Sequence, residues 1–573
     1  MKRNIPIGTL RKLLNCASRL LALWALWLPE TTFGVGHWTS VATKPVDKIG
    51  LIMLLSDGTV LAEGTNANWW ALTPDSTGHY VNGAWTPRQS SNWGHQTGST
   101  AVLTNGTVFV AGGENGNGSD KVEIYNPFTG SWSVAINQTY FGSIQDGNAM
   151  LMPDGRVLIE PQGATGDYGA DSFLFNPGNN TFSQTIGAPL NILWEASWVK
   201  LPNDDVLVID SDGSSTGATT AEMYIPSIGI WTNAVTGGTV PNIWPDMTGS
   251  GAVSEMGPAI LLPNGNAIFF GGGGVTAVYD NGTWSQSATL PNGLGMKDAP
   301  GAMMVNGKIL LAVSPTGLNT TTNDDPNGIG PTSFYEYDYT ANGGAGGYAL
   351  APSPGSGISS AAAACNFLDL PDGTVLLSDQ ESQLYIYHPD GSPLAAGQPS
   401  INTVQWNANG SLHLTGTLFN GISQGAAFGD DAQMDSNFPM VRFSSSSTAY
   451  YGTTYNWSST SVQTGGRIVT TEVIVPPAVS DFPGQWSLQV VANGNASAAV
   501  GFYSPVWVNF SNDSGFYFGY YDFPYNTLAS GVANVASGGT IAIESSSTVS
   551  RETMTITKPM NIISVGGPST IGN

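Results

Sequence analysis

Residues 369–379 read DLPDGTVLLSD: an apolar run, a Pro-Asp-Gly turn and a second apolar run. The unit returns along the chain as LLSDGTVLAEG (54–64), VLTNGTVFVAGG (102–113), LMPDGRVLIE (151–160), KLPNDDVLVID (200–210), LLPNGNAIFFGGGG (261–274) and MMVNGKILLAV (303–313). Asp-Gly and Asn-Gly accept positive φ, so each unit predicts a hairpin with a two-residue turn. The fourth unit has Asp204 where the others have glycine, which a turn still tolerates. The flanking runs have no polar alternation and predict strands buried on both faces.

From turn to turn the spacings are 48, 49, 49, 61, 42 and 66 residues. A period near 50 with one such hairpin each predicts a propeller of the kelch kind, one four-stranded blade per repeat. Second hairpins follow the first, as in VEIYNPFTGSWS (122–133) and EMYIPSIGIWT (222–232). After LYIYHPDGS (384–392) no outer strand with tryptophan follows, but GHWTSV (36–41) precedes the first repeat. The strand of Trp38 is therefore expected to complete the last blade. The reading is all-β, with a seven-bladed propeller over 37–398.

The chain has 573 residues with 73 Gly, 35 Pro and a charged fraction of 10%. Hydrophobic residues make up 41%, enough to bury a sizeable core. Residues 1–36 combine a basic start with the apolar stretch Leu20 to Leu28 and read as an export signal. Nine apolar residues are too few to span the ~30 Å hydrocarbon core of a bilayer as a helix. The mature chain is expected outside the cytoplasm, secreted or at the cell surface, with no membrane span. A net charge of −24 argues against phosphate backbones and anionic lipids as partners.

Residues 399–510 lack the repeat and alternate as antiparallel strands (SLHLTGTLF, GQWSLQVVANG), which predicts one immunoglobulin-like sandwich. Residues 511–573 end in short β-branched runs spaced like the rungs of a right-handed β-helix. So few rungs must dock on something or continue in further chain.

A kelch propeller followed by FNGISQGAAFGDDAQMDSNFPMVRF, YYGTTYNWSST and GQWSLQVVANGNAS resembles the galactose oxidase and glyoxal oxidase superfamily over about 37–510. It is similar also to exported bacterial kelch proteins of the same architecture. The resemblance implies a copper site of two tyrosines and two histidines, one tyrosine cross-linked to cysteine. At the matching positions stand Ala363, Ala364 and Thr97, with Tyr455 or Thr454 in place of the remaining histidine. Copper(II) favours imidazole and anionic oxygen, which alanine and threonine do not supply. Copper radical oxidation is therefore not expected.

Counting eight residues back from each turn marks the entry to the innermost strand, beside the central channel. Acids recur there: Asp146, Glu195, Glu255 and Asp298, with Trp194 and His95 as neighbours. Converging carboxylates could hydrogen-bond sugar hydroxyls beside a tryptophan face, or with carbonyls suit calcium. They could serve as an acid/base pair if burial separated their pKa values. They could equally cap exposed backbone N–H groups. The expected function is an exported binding protein for a glycan or other surface ligand at an acidic propeller mouth. The alternatives are a carbohydrate-active enzyme using those acids, or a structural envelope component.

Overall fold

The computed structural model describes residues 34–572 except 114–116, 119, 134–135, 138–143, 145–146, 161–171, 188, 190–192, 194–195, 210–220, 235–239, 242–255, 316–328, 429–431, 482–483 and 547. Residues 1–33 of the expected export signal and three of the acids thus lie outside the described residues.

Each repeat hairpin forms as the innermost pair of a small antiparallel sheet. In the first, Ile52–Leu54 pairs with Val60–Glu63, then Trp69–Thr73 and Ala84–Arg88 follow outward. Six such sheets, five of four strands and one of five, make a β-propeller. A further sheet of seven strands follows the fifth along the chain. The inner strands are buried along their whole length, as in Val60–Glu63 and Val206–Ile209.

The turns are longer than the two residues expected. Gly373 N–H donates to Leu370 at 3.0 Å and Leu370 N–H to Thr374 at 2.8 Å, leaving three residues in the loop. This is a type I turn closed by a left-handed residue. Proline before the Asp suits its second position, and Asp372 Oδ1 accepts the Thr374 N–H at 3.2 Å. Only the last loop residue needs positive φ: Gly373 has 87° and Asp204, the one non-glycine, 71°.

The strand His37–Ser40 pairs antiparallel with Tyr385–His388, Trp38 opposite Tyr387. The N-terminal strand is thus the outer strand of the last sheet, as read from the sequence. Trp38 packs 4.8 Å from Tyr387 and 5.0 Å from Phe334, and its indole N–H donates to Pro352.

The chain after the ring packs on the face carrying the repeat turns. Thr454 N–H donates to Ser56 at 3.1 Å, Trp457 N–H to Thr104 at 3.2 Å, and the Gln463 amide to Leu262 at 2.7 Å. From that face the strands Gly425–Phe428 and Ala432–Asp435 run as a hairpin into the propeller channel. Gly425–Phe428 extends the seven-stranded sheet by pairing with Gly301–Met303. The hairpin also packs on the inner strands Ile52–Leu54, Ser99–Val102, Ala259–Leu261 and Asn366–Asp369. Gly425, Ala426, Ala427 and Ala432 leave room for backbones to approach on every side. The Gln433 side-chain amide donates to the Trp198 carbonyl, and its backbone carbonyl accepts from the Thr100 hydroxyl.

An eight-stranded antiparallel sheet wraps a core of Leu412, Phe443, Val473, Leu488 and Phe502. Beyond it, Val506–Val508, Thr540–Glu544 and Asn561–Val565 form a three-stranded parallel sheet. That sheet begins before residue 511 and docks through Trp507 on Trp406, 5.2 Å apart.

Candidate functional site

At the end of the channel opposite the turns lies a cavity of about 500 Å³. Lys48, Glu63, Gln96, Thr97, Asn366 and Gln380 line it, and Phe428 closes it from below. Phe428 is the last described residue of the inserted strand, so the hairpin reaches through the ring to the cavity floor.

Two of these side chains have polar atoms that nothing nearby satisfies. Glu63, 1% exposed, accepts the His95 backbone N–H at 2.9 Å through Oε1, while Oε2 is buried with no partner. Burial pushes its carboxyl up to about 8, partly offset by the bond from His95. Asn366, 4% exposed, has a buried Oδ1 without a donor. A buried acceptor left unpaired costs about 1–3 kcal/mol, so both atoms favour a ligand or water at the cavity wall.

Thr97 occupies the cavity edge with φ of 59°. A β-branched residue rarely adopts that region. Its hydroxyl donates to the Gln96 carbonyl at 2.6 Å. Asp298, at the same count back from its own turn, has φ of 47°, so the two positions share a backbone bend before the inner strand.

Other expectations are corrected. His95 does not face the channel: it is fully buried, with Nδ1 at 2.8 Å from Gly112 O and Nε2 at 3.0 Å from Glu123 Oε2. Both ring nitrogens are used in joining neighbouring strands, and none is left for a ligand. Thr454 and Tyr455 stand on the turn face, Thr454 bonded to Ser56 and Pro439, away from the cavity. The chain that reaches the cavity after the ring is instead the hairpin ending at Phe428. Ala363 and Ala364 lie on the short turn Ala362–Ala364 leading into Asn366–Asp369. Asp146, Trp194, Glu195 and Glu255 lie outside the described residues.

The residues present do not fit copper. Thr97, Ala363 and Ala364 carry neither imidazole nor phenolate, and the ring of His95 is engaged elsewhere. Among the described residues no group of three or more His, Cys, Asp or Glu side chains could hold a metal. Cys365 is buried, which raises its thiol and keeps it unreactive.

Glu63, Gln96, Asn366, Gln380 and Phe428 were not among the residues singled out in the sequence. Glu63 ends the second strand of its repeat and Glu160 directly follows the second strand of its own, Val157–Ile159. Each accepts a backbone N–H from the next repeat's entry, His95 and Leu193, both at 2.9 Å. That recurrence was the available signal.

Residues 97–135 match the Kelch motif. The match falls on the second of the six small sheets of the β-propeller. No curated protein matches the chain. Among solved structures, a fungal alcohol oxidase of the AA5 family in complex with copper is 14% identical, with a TM-score of 0.46 over 82% of this chain and 99% of that one. YCF48 bound to D1 peptide is 15% identical, with a TM-score of 0.40 over 64% of this chain and 99% of that one. YjhT is 13% identical, with a TM-score of 0.35 over 55% of this chain and all of that one. The ring of small sheets and its threaded hairpin are read from this chain's own strand pairing. No helix among the described residues is long and apolar enough to cross a membrane.

Proposed function

We propose that this is an exported kelch-propeller binding protein that recognises a glycan or other surface ligand at the propeller mouth. The observation that carries the reading is the pair of unpartnered buried atoms, Glu63 Oε2 and Asn366 Oδ1, on the wall of one cavity. Held as a neutral acid, Glu63 can donate from that oxygen, and Asn366 can accept. Gln96 and Gln380 add amides at the rim, and Phe428 adds an apolar floor. Alternating donors and acceptors around an apolar face suit a polyhydroxylated, uncharged ligand.

The same proposal takes the seven-stranded sheet as the seventh blade, since Gly301–Met303 to Gly347–Ala351 keep the blade order. It takes 399–510 as an immunoglobulin-like unit and 1–36 as the export signal. Glycan-array binding by the full chain tests the function: Asn366→Ala should weaken the bound glycan at least tenfold without lowering the melting temperature. Binding unchanged by Asn366→Ala and by Glu63→Gln would end this reading.

A second reading is an enzyme in the same cavity, favoured by Glu63 alone. A carboxyl raised to about 8 is a general acid at neutral pH. Loss of turnover with retained binding in Glu63→Gln would select it.

A further inference from the structure

A second cavity, of about 560 Å³, opens on the turn face between the first repeat and the sheet that follows the ring. Thr77 and His79 form one wall. The other is Arg442, the hydroxyl run Ser444–Thr448, Gln485, Trp486 and Ser487. The walls are fixed by strand pairing: Arg442 lies opposite Gln489 and Ser444 opposite Ser487. The loop of the first repeat is held by Ala449 N–H, which donates to Ser76 at 2.8 Å.

Arg442 is the unusual member. Its Nε is buried and has no partner among the described residues. The nearby carboxylate is already used: Asp372 accepts from His79 Nδ1 at 3.0 Å and from Thr374 of its own turn. The chain has 41 acidic residues against 17 basic ones, so a half-buried cation without an acid is against the balance of charge. The other described lysines and arginines that are not surface-exposed have partners. Lys121 and Arg156 pair with Asp120 and Asp154, and Lys308 with Glu336. Lys200 and Lys558 donate to backbone carbonyls, and Lys297 too has an interaction.

We propose that this cavity binds a carboxylate-bearing saccharide, with Arg442 taking the carboxylate. The planar guanidinium fork matches a carboxylate in two parallel bonds. Trp486 gives the sugar an apolar edge, and the serine and threonine hydroxyls with Gln485 answer its hydroxyl groups. His79, kept charged to higher pH chiefly by its bond to Asp372, adds positive potential from the facing wall. The site is separate from the channel cavity, which takes an uncharged ligand at the other end of the ring.

Calorimetric titration of the full chain with a short oligogalacturonate, and with the neutral oligosaccharide of the same linkage, tests the assignment. The uronate should bind and the neutral sugar should bind at least tenfold more weakly. Arg442→Gln should lose at least tenfold in uronate affinity, and Arg442→Lys, which keeps charge without the fork, an intermediate amount. Gln485→Ala, an exposed change, should cost about threefold and serves if Arg442→Gln does not fold. Equal binding of both sugars, no binding of the uronate, or binding only of a sulfated analogue would overturn the proposal. So would uronate affinity that survives Arg442→Gln and is lost in Asn366→Ala, which would put the ligand in the channel cavity.

Discussion

Glu63 accepts the backbone N–H of His95 at 2.9 Å, so a buried carboxyl of one repeat fixes the entry of the next. Its second oxygen is buried without a partner, and the residue lines the cavity. Structure and site therefore share one side chain.

That carboxyl makes stability depend on pH. Glu63 and Asp369 are raised by burial to about 8, and Asp435 to about 7. Each binds a proton in the native state at a pH where the unfolded chain has released it. The stabilisation is therefore full below the unfolded values near 4 and is lost as pH rises to about 8. Thermal melts should fall from pH 5 to pH 8. Glu63→Gln keeps an acceptor for His95 and should make that fall shallower by several degrees. An identical pH profile in the variant would show that Glu63 titrates normally.

Closure of the last sheet rests on the N-terminal strand. Trp38→Ala removes packing against Tyr387 and Phe334 together with the indole bond to Pro352. A loss of about 2–4 kcal/mol is expected, read as a lower denaturation midpoint. A change under about 0.5 kcal/mol would mean that the strand does not hold the ring closed.

The left-handed Thr97 trades stability for position. Thr97→Gly relieves a conformation that costs a branched residue about 1–2 kcal/mol, offset in part by the greater freedom of unfolded glycine. The variant should melt at or slightly above the parent temperature while glycan affinity at the mouth falls. Unaltered affinity would remove Thr97 from the site.

At Ala427 the inserted hairpin has room for only a small side chain. Ala427 is 1% exposed and pairs with Gly301 inside the channel. Ala427→Leu should cost about 1–3 kcal/mol by overpacking, whereas Ala427→Gly should cost no more than about 1 kcal/mol. Comparable melting temperatures for Ala427→Leu and the parent would argue that the channel is looser than described.

The repeats, the turn residues and the closing strand of Trp38 were legible because each is encoded within a dozen consecutive residues. Counting back from the turns also located Thr97 and Asp298 on equivalent bends. It gave the level of a residue along the axis but not the direction of its side chain. His95 shows the gap. It lies ahead of the strand Ser99–Val102, beside the turn of Gln96 and left-handed Thr97, so strand alternation does not set the direction of its ring. The threaded hairpin was hidden for a different reason. GAAF and AQMD are runs of four residues each, and nothing local distinguishes a strand that crosses a ring from one that lies on a surface.

By itself the sequence determined that short hairpins with left-handed turn residues repeat and must bury both faces, which leads to a closed ring of small sheets. Only the tertiary structure decided which polar groups meet without partners. Asn366 and Phe428 come from chain segments hundreds of residues after Glu63. Hydrogen-bond satisfaction is a property of what surrounds an atom in space, and no spacing along the chain reports it.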